Sequence, residues 1–444
     1  MNLVRQLLTI FLFLYYSNNC YSQFWHLPNG KDKAVIPFEL VNNLILVSVK
    51  LNGESLSFLL DNGVKETLLF GEIDSLRLKN TSSFFFRGLG IGMPIQGKMS
   101  RQNQLEIGNI IDSSHNLYVV VDSAFNLSKN VGEHIHGILG SSFFRNNVIA
   151  IDYIKKKIIF SRNIDDLNLK LSKYQKHSID IENDRAYVFV DFQAQFHTYQ
   201  HQKMLLDLGN SDPMLIFDQE ISDYKIKEPS IRDYLGYGFN GAVYGYKNRL
   251  KSLTLGDYII NYPIVSYPDT NTYDASRLAE ARVGSVGNQI LSRFYVLFDY
   301  PNNALYLRKN KHFDDPYALD MSGLEVVHEG FEFVKHRSPN HFEKGDDGST
   351  TINFSSEVNY LIELHATFVI NQVRPNSPAE SAGLLVGDRI VKINGRRVGK
   401  LKLQDIKNKL QAGQDKLIRI QVERLDKILN LVFRLVDPLS IVEN

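Results

Sequence analysis

The stretch FLLDNG at 58–63 decides how this chain is read, because MLLDLG repeats it at 204–209. In each, an apolar run delivers an aspartate, one residue intervenes, and a glycine follows. A third Asp-x-Gly, at 346–348, sits in a charged stretch and reads as a turn. The first two copies differ from it in their surroundings. Gly140 of GILGSSFF follows Asp61 at almost the same distance as Gly287 of GSVGNQIL follows Asp207. LEIGN (105–109) and LTLGD (253–257) fall between, and VIAIDYIKKKIIF (148–160) and YVLFDYPNNALYL (295–307) fall beyond. Landmarks that keep register in this way mark an internal repeat.

A duplicated fold brings equivalent loops together, so Asp61 and Asp207 are expected to face each other. Two carboxylates in near contact cannot both ionise, and one proton is shared. The ionised member can take a proton from water while the protonated member polarises a carbonyl. Gly63 and Gly209 let the backbone turn tightly enough for the loops to meet. The bland alternative is that each aspartate only caps a turn.

Composition limits the other possibilities. The 444 residues suffice for about three domains. With 50 basic against 49 acidic residues, no basic field argues for nucleic acid. Arg5, the apolar run 7–16 and Ser22 form a signal-peptide pattern, with cleavage expected before Gln23 and a secreted or periplasmic location. Cys20, the only cysteine, is the alternative lipid-anchor site, but Asn19 before it fits poorly. No later stretch is long enough to span a bilayer. His134 and His136 have ligand-like spacing, yet no third ligand accompanies them, and no metal is expected.

From about 35 to 310 short apolar runs alternate with Gly and Asn turns, which predicts a mostly β chain. LNGES (51–55) predicts a hairpin. Two lobes are expected, 23–165 and 166–315. A different texture follows, expected to be a third unit over 316–444. SPAESAGLLVGDRIVKING (377–395) has a Pro turn, a short helix, and a strand leading into an Asn-Gly hairpin. Residues 403–413 form an amphipathic helix ended by Gly413. The polar residues 335–358 read as a mobile insertion in this unit.

On these motifs residues 35–310 resemble a single-chain aspartic peptidase of the pepsin/retropepsin type. The likeness is to bacterial secreted members with a C-terminal PDZ module, which the 377–395 string resembles. The resemblance implies a two-lobed, internally duplicated β-barrel fold with Asp61 and Asp207 catalytic. Dyad support falls on Asn62, Gly63, Gly209, Asn210, Gly140 and Gly287. Flap hairpins fall on the Gly-rich stretches holding Gly90 and Gly92, and Gly238 and Gly241. The PDZ resemblance implies a peptide groove at Ser322, Gly323, Leu324, Val326, Ile406 and Leu410. A peptide or protein C-terminus would dock there as an added strand. A polypeptide would occupy the inter-lobe cleft and be hydrolysed without any cofactor.

The chain departs from the family where Asp-Thr-Gly is usual: the threonines are replaced by Asn62 and Leu208. Those hydroxyls tie the two loops together. Asn62 can still donate a hydrogen bond and Leu208 cannot, so a loosened dyad is expected. Val64 stands where a hydroxyl often supports the first carboxylate. Two readings stay open: a hydrolase, and a degenerate relative that binds polypeptide without cutting it.

Overall fold

The computed structural model describes residues 24–440 except 29, 72–73, 87–94, 122–126, 196, 239–240, 318, 338–341, 345–349 and 353–359. The signal peptide, Cys20, Gly90, Gly92 and most of the polar stretch 335–358 therefore lie outside the described residues.

Turn chemistry sets the first strands. Asn42 and Asn43, both at positive φ, join Lys33–Val41 to Leu44–Leu51. Asn52 and Gly53, also at positive φ, join Leu44–Leu51 to Glu54–Leu60, the hairpin LNGES predicts. Glu54–Leu60 then runs parallel to Gly137–Leu139, pairing Leu60 with Leu139. The second half repeats this: His197–Asp207 runs parallel to Arg282–Gly287, pairing Asp207 with Gly287. Each aspartate thus stands at the end of a strand whose parallel neighbour leads into the landmark glycine, Gly140 or Gly287.

The two halves meet in a sheet. Val148–Asp152 and Phe294–Asp299 pair antiparallel, with Asp152 opposite Tyr295 and Val148 opposite Asp299. Outside them lie Lys157–Ser161 and Ala304–Lys309, then Lys33–Val41 and Gln175–Ser178. Read outward from the central pair, the first three strands on either side correspond, which is the pseudo-two-fold of a duplication. Ile149, Ile151, Leu297 and Phe298 are all buried. With both faces of the sheet covered, these runs are continuously apolar rather than alternating. One hydrophobic core extends through both halves.

The third unit has its own core and a six-stranded sheet. Leu324–Arg337 forms its edge, paired along its length with Tyr360–Val373. Helix Leu403–Leu410 starts with the Lys402 N–H donating to Asp405 and buries Leu403, Ile406 and Leu410. Lys335–Arg337, at the start of the expected insertion, continue the long strand. Tyr317, Leu319 and Leu439, within the expected span 316–444, pack into the core of the two lobes instead. Both ends of the module are thereby fastened to the body.

Candidate active site

The parallel strand pairs hold the two Asp loops. Asp61 N–H donates to Leu139 O (3.0 Å), and Ser141 N–H to Val64 O (2.7 Å). On the other side Gly287 N–H donates to Pro213 O (2.7 Å), and Asn288 N–H to Asn210 O (2.7 Å). Gly140 and Gly287 are required here by close approach. A Cβ would stand 2.4 Å from Glu66 O at the first and 2.0 Å from Asp212 O at the second.

Gly63 and Gly209 report how near the carboxyls are. A Cβ on Gly63 would lie 2.8 Å from Asp207 Oδ1 and 3.1 Å from Asp61 Oδ1. A Cβ on Gly209 would lie 2.2 Å from Asp61 Cγ. Both carboxyl groups crowd the same spot, and neither glycine can carry a side chain there. Asp61 Oδ1 accepts from Gly63 N–H (2.8 Å), and Asp207 Oδ1 from Gly209 and Asn210 N–H (3.1 Å each). Burial and then the charge of Asp207 push Asp61 up from 3.8 to about 7, against the pull of the Gly63 and Val64 amides. Val64 thus serves through its backbone, where a side-chain hydroxyl was expected to be missed. Burial also raises Asp207, opposed first by the Arg282 charge and then by its own loop amides.

The expected loosening at 62 and 208 is corrected by the backbone. Leu208 N–H donates to Asn62 Oδ1 (2.9 Å), so Asn62 ties the loops as an acceptor. The Leu208 side chain is fully buried in the main core, where a hydroxyl would have no advantage. The Asn62 side chain also lies against the buried hydroxyl of Tyr300, directly after landmark Asp299 of the second half, where burial pushes the pKa up and Asn62 pulls it down. A second tie was not anticipated. Tyr153, directly after landmark Asp152, donates to Asn288, directly after landmark Gly287, and Asn288 donates to Asn43 O. Their adjacency to the repeat landmarks was the available signal.

The dyad opens into a cavity of about 1510 Å³. Gly238 and Tyr237 line it from the strand Ser230–Gly238; Gly241, at φ +112, pairs with Gly238 but does not reach it. The far wall is the third unit, through Gly323, Leu324, Arg374 and Leu410. That unit bridges both lobes. Arg374 pairs with Asp233 (3.3 Å) and Gln372 Nε2 donates to Tyr244 Oη (3.1 Å) on the second lobe. Lys402 pairs with Glu133 (2.8 Å), and Asn42 N–H donates to Gln404 Oε1 (2.6 Å), on the first.

The expected peptide groove is filled from within. Helix Leu127–Val131 lies against the strand Leu324–Arg337, and Gly132 abuts Leu403, where a Cβ would stand 2.5 Å from the Leu403 Cβ. Val326 and Ile406 are buried in the module's own core rather than presented in a groove. Ser322 and Gly323, expected to receive a terminal carboxylate, already donate their N–H groups to Asp320 (3.2 and 2.6 Å). Burial pushes Asp320 up to about 6, opposed by Arg374. Among the described residues no three His, Cys, Asp or Glu side chains form a metal-binding group, and no helix is long and apolar enough to cross a membrane.

Residues 47–143 match the family model described as aspartyl protease, and residues 369–424 match that described as PDZ domain. The chain therefore carries an aspartyl protease domain and a C-terminal PDZ domain. A comparison with curated proteins finds no match. Among solved structures, the aspartic proteinase from Irpex lacteus is similar at 14% identity and a TM-score of 0.42, covering 64% of this chain and 99% of that one.

Proposed function

We propose that this protein hydrolyses peptide bonds with a water activated by Asp61 and Asp207. The observation that supports this most directly is the crowding of both carboxyl groups on Gly63 at the floor of the cleft. Asp61, pushed up by burial and by the charge of Asp207, keeps the shared proton. Asp207, favoured as an anion by Arg282 and its loop amides, is the base. Asp207 takes a proton from the water as its oxygen bonds to the scissile carbonyl carbon. Asp61 gives its proton to the carbonyl oxygen. Collapse of this adduct returns that proton to Asp61, the amide nitrogen takes the other from Asp207, and the C–N bond breaks. The products are a carboxylic acid and an amine.

The PDZ module in this reading forms one wall of the cleft, and extended polypeptide beside the dyad lies against that wall rather than in the module's own filled groove. Export of the chain, on the leader pattern of residues 1–22, belongs to the same proposal. A second reading, polypeptide binding without cleavage, is favoured by one observation: the side chain at 208 is a leucine buried in the core, so it offers no hydroxyl to the first loop.

The test is cleavage of a denatured protein or a peptide library by the wild type, Asp61→Asn and Asp207→Asn. Cleavage lost in both variants and untouched by a chelator upholds the hydrolase. An inert wild type that binds peptides makes the second reading the better one.

A further inference from the structure

The charges beside the dyad do not balance, although eight basic and eight acidic side chains line the cleft as a whole. Lys65, Arg232, Lys247, Arg277, Arg374 and Lys407 line it, and each lies within ion-pair distance of a carboxylate. Arg185 and Arg282 line it too, and neither forms an ion pair among the described residues. Arg282 Nε donates to Gly284 O (3.1 Å) and Nη2 to Ser285 Oγ (2.9 Å), with the guanidinium 5.4 Å from the Phe217 ring centre. These contacts fix its plane and leave Nη1 without a bond among the described residues. Arg185 Nε is buried with no hydrogen-bond partner among the described residues. Both side chains are half-buried, and each arginine is the first residue of its second-lobe strand, Arg185–Ala194 and Arg282–Gly287.

Both lie near the dyad, since the charge of Arg185 is felt at Asp61 and Asp207, and that of Arg282 at Asp207. A dyad sharing one proton carries one negative charge, against two guanidinium charges. One positive charge is left over in a partly desolvated site, where an unpaired charge is costly. Fixed guanidinium forks match a carboxylate well.

We infer that Arg185 and Arg282 form a specificity site for an acidic side chain of the polypeptide, close to the scissile bond and on the second-lobe side of the dyad. This rests on the hydrolase or binding reading of the same cleft. It assigns the substrate class: peptides carrying Asp or Glu within a residue or two of the bond at the dyad.

The test uses peptide pairs that differ only by Glu or Gln at each position along a cleaved or bound sequence. kcat/KM is measured with active protein, and Kd by fluorescence anisotropy with Asp61→Asn. At one position Glu should exceed Gln by about tenfold, as hydrogen bonds to charged groups typically allow. The ratio should fall towards one in Arg185→Gln and Arg282→Gln and turn in favour of Gln in Arg185→Glu. Should Arg282→Gln fail to fold, Arg185→Gln and the wild-type ratio still decide. Cleavage with no Glu preference overturns this inference and leaves the hydrolase standing. A Glu-dependent Kd without cleavage upholds it and overturns the hydrolase. If the arginines only tune the dyad, Arg185→Gln shifts the pH profile of Glu and Gln peptides alike from a wild-type ratio near one, which also overturns it.

Discussion

Asp61 couples the chemistry to stability. Its folded-state pKa, about 7, lies above the ordinary carboxylate value, so between pH ~4 and ~7 the folded chain binds more protons than the unfolded one. Stability should therefore be greatest below this window and fall as pH rises through it. Thermal melts across pH 4–8 should show that slope, and Asp61→Asn should flatten it; an equal slope in the variant would place its origin elsewhere. Activity should decline as pH rises through about 7, where the shared proton is lost. Asn62→Ala removes the acceptor for the buried Leu208 N–H and should cost about 1–3 kcal/mol, with a larger loss in kcat than in affinity. Leu208→Thr, attractive from the sequence because it restores a hydroxyl, should destabilise by about 1–3 kcal/mol. The side chain it replaces fills core space rather than facing the other loop. Urea titrations of both variants check these magnitudes.

At the scale of elements, each Asp loop is held by a parallel neighbour strand and by a tie to the opposite lobe. The tie from Tyr153 to Asn288 joins two fully or nearly buried side chains. Tyr153→Phe leaves the Asn288 oxygen unsatisfied, and should lower stability by roughly 1–3 kcal/mol and kcat with it. A variant as stable and active as the wild type would show that the parallel strands alone suffice. Behind the first loop, Asp112, His115 and Thr67 form a buried chain with contacts of 2.8 Å. This constellation is sealed from solvent, so it braces the strand Thr67–Phe70 rather than meeting substrate. The repeat made the strand pairs legible, because each landmark recurs in the sequence. It did not make the cross-lobe ties legible, because each half contributes a different residue to them.

At the scale of the molecule, the PDZ module is clamped over the cleft by contacts to both lobes and by its own two ends. At Gly132 the first lobe leaves no room for a side chain against Leu403. Gly132→Asn tolerates the positive φ of that position, but its Cβ would collide with Leu403. It should lift the module from the first lobe. Deuterium uptake in Leu403–Leu410 and Leu324–Arg337 should rise, and peptides should reach the dyad faster. Unchanged uptake would place the clamp on the second-lobe contacts. Asp320→Ala should free the amides of Ser322 and Gly323 and raise the affinity of the module for a terminal carboxylate, measured by anisotropy with a labelled peptide.

The sequence by itself determined the β architecture, the two Asp loops, their glycines and the PDZ module. Each of these is written in local spacing or in a motif copied twice along the chain. Only the tertiary structure decided the rest. It put the Leu208 backbone, not its side chain, on Asn62, and set Tyr153 of one half against Asn288 of the other. It folded residues 127–133 into the module's groove and left Arg185 and Arg282, beside the dyad, without an ion pair among the described residues. These contacts join residues far apart in sequence, and each depends on which polar groups burial leaves without a partner. No local pattern records that, because it follows from how the whole chain closes around its cleft.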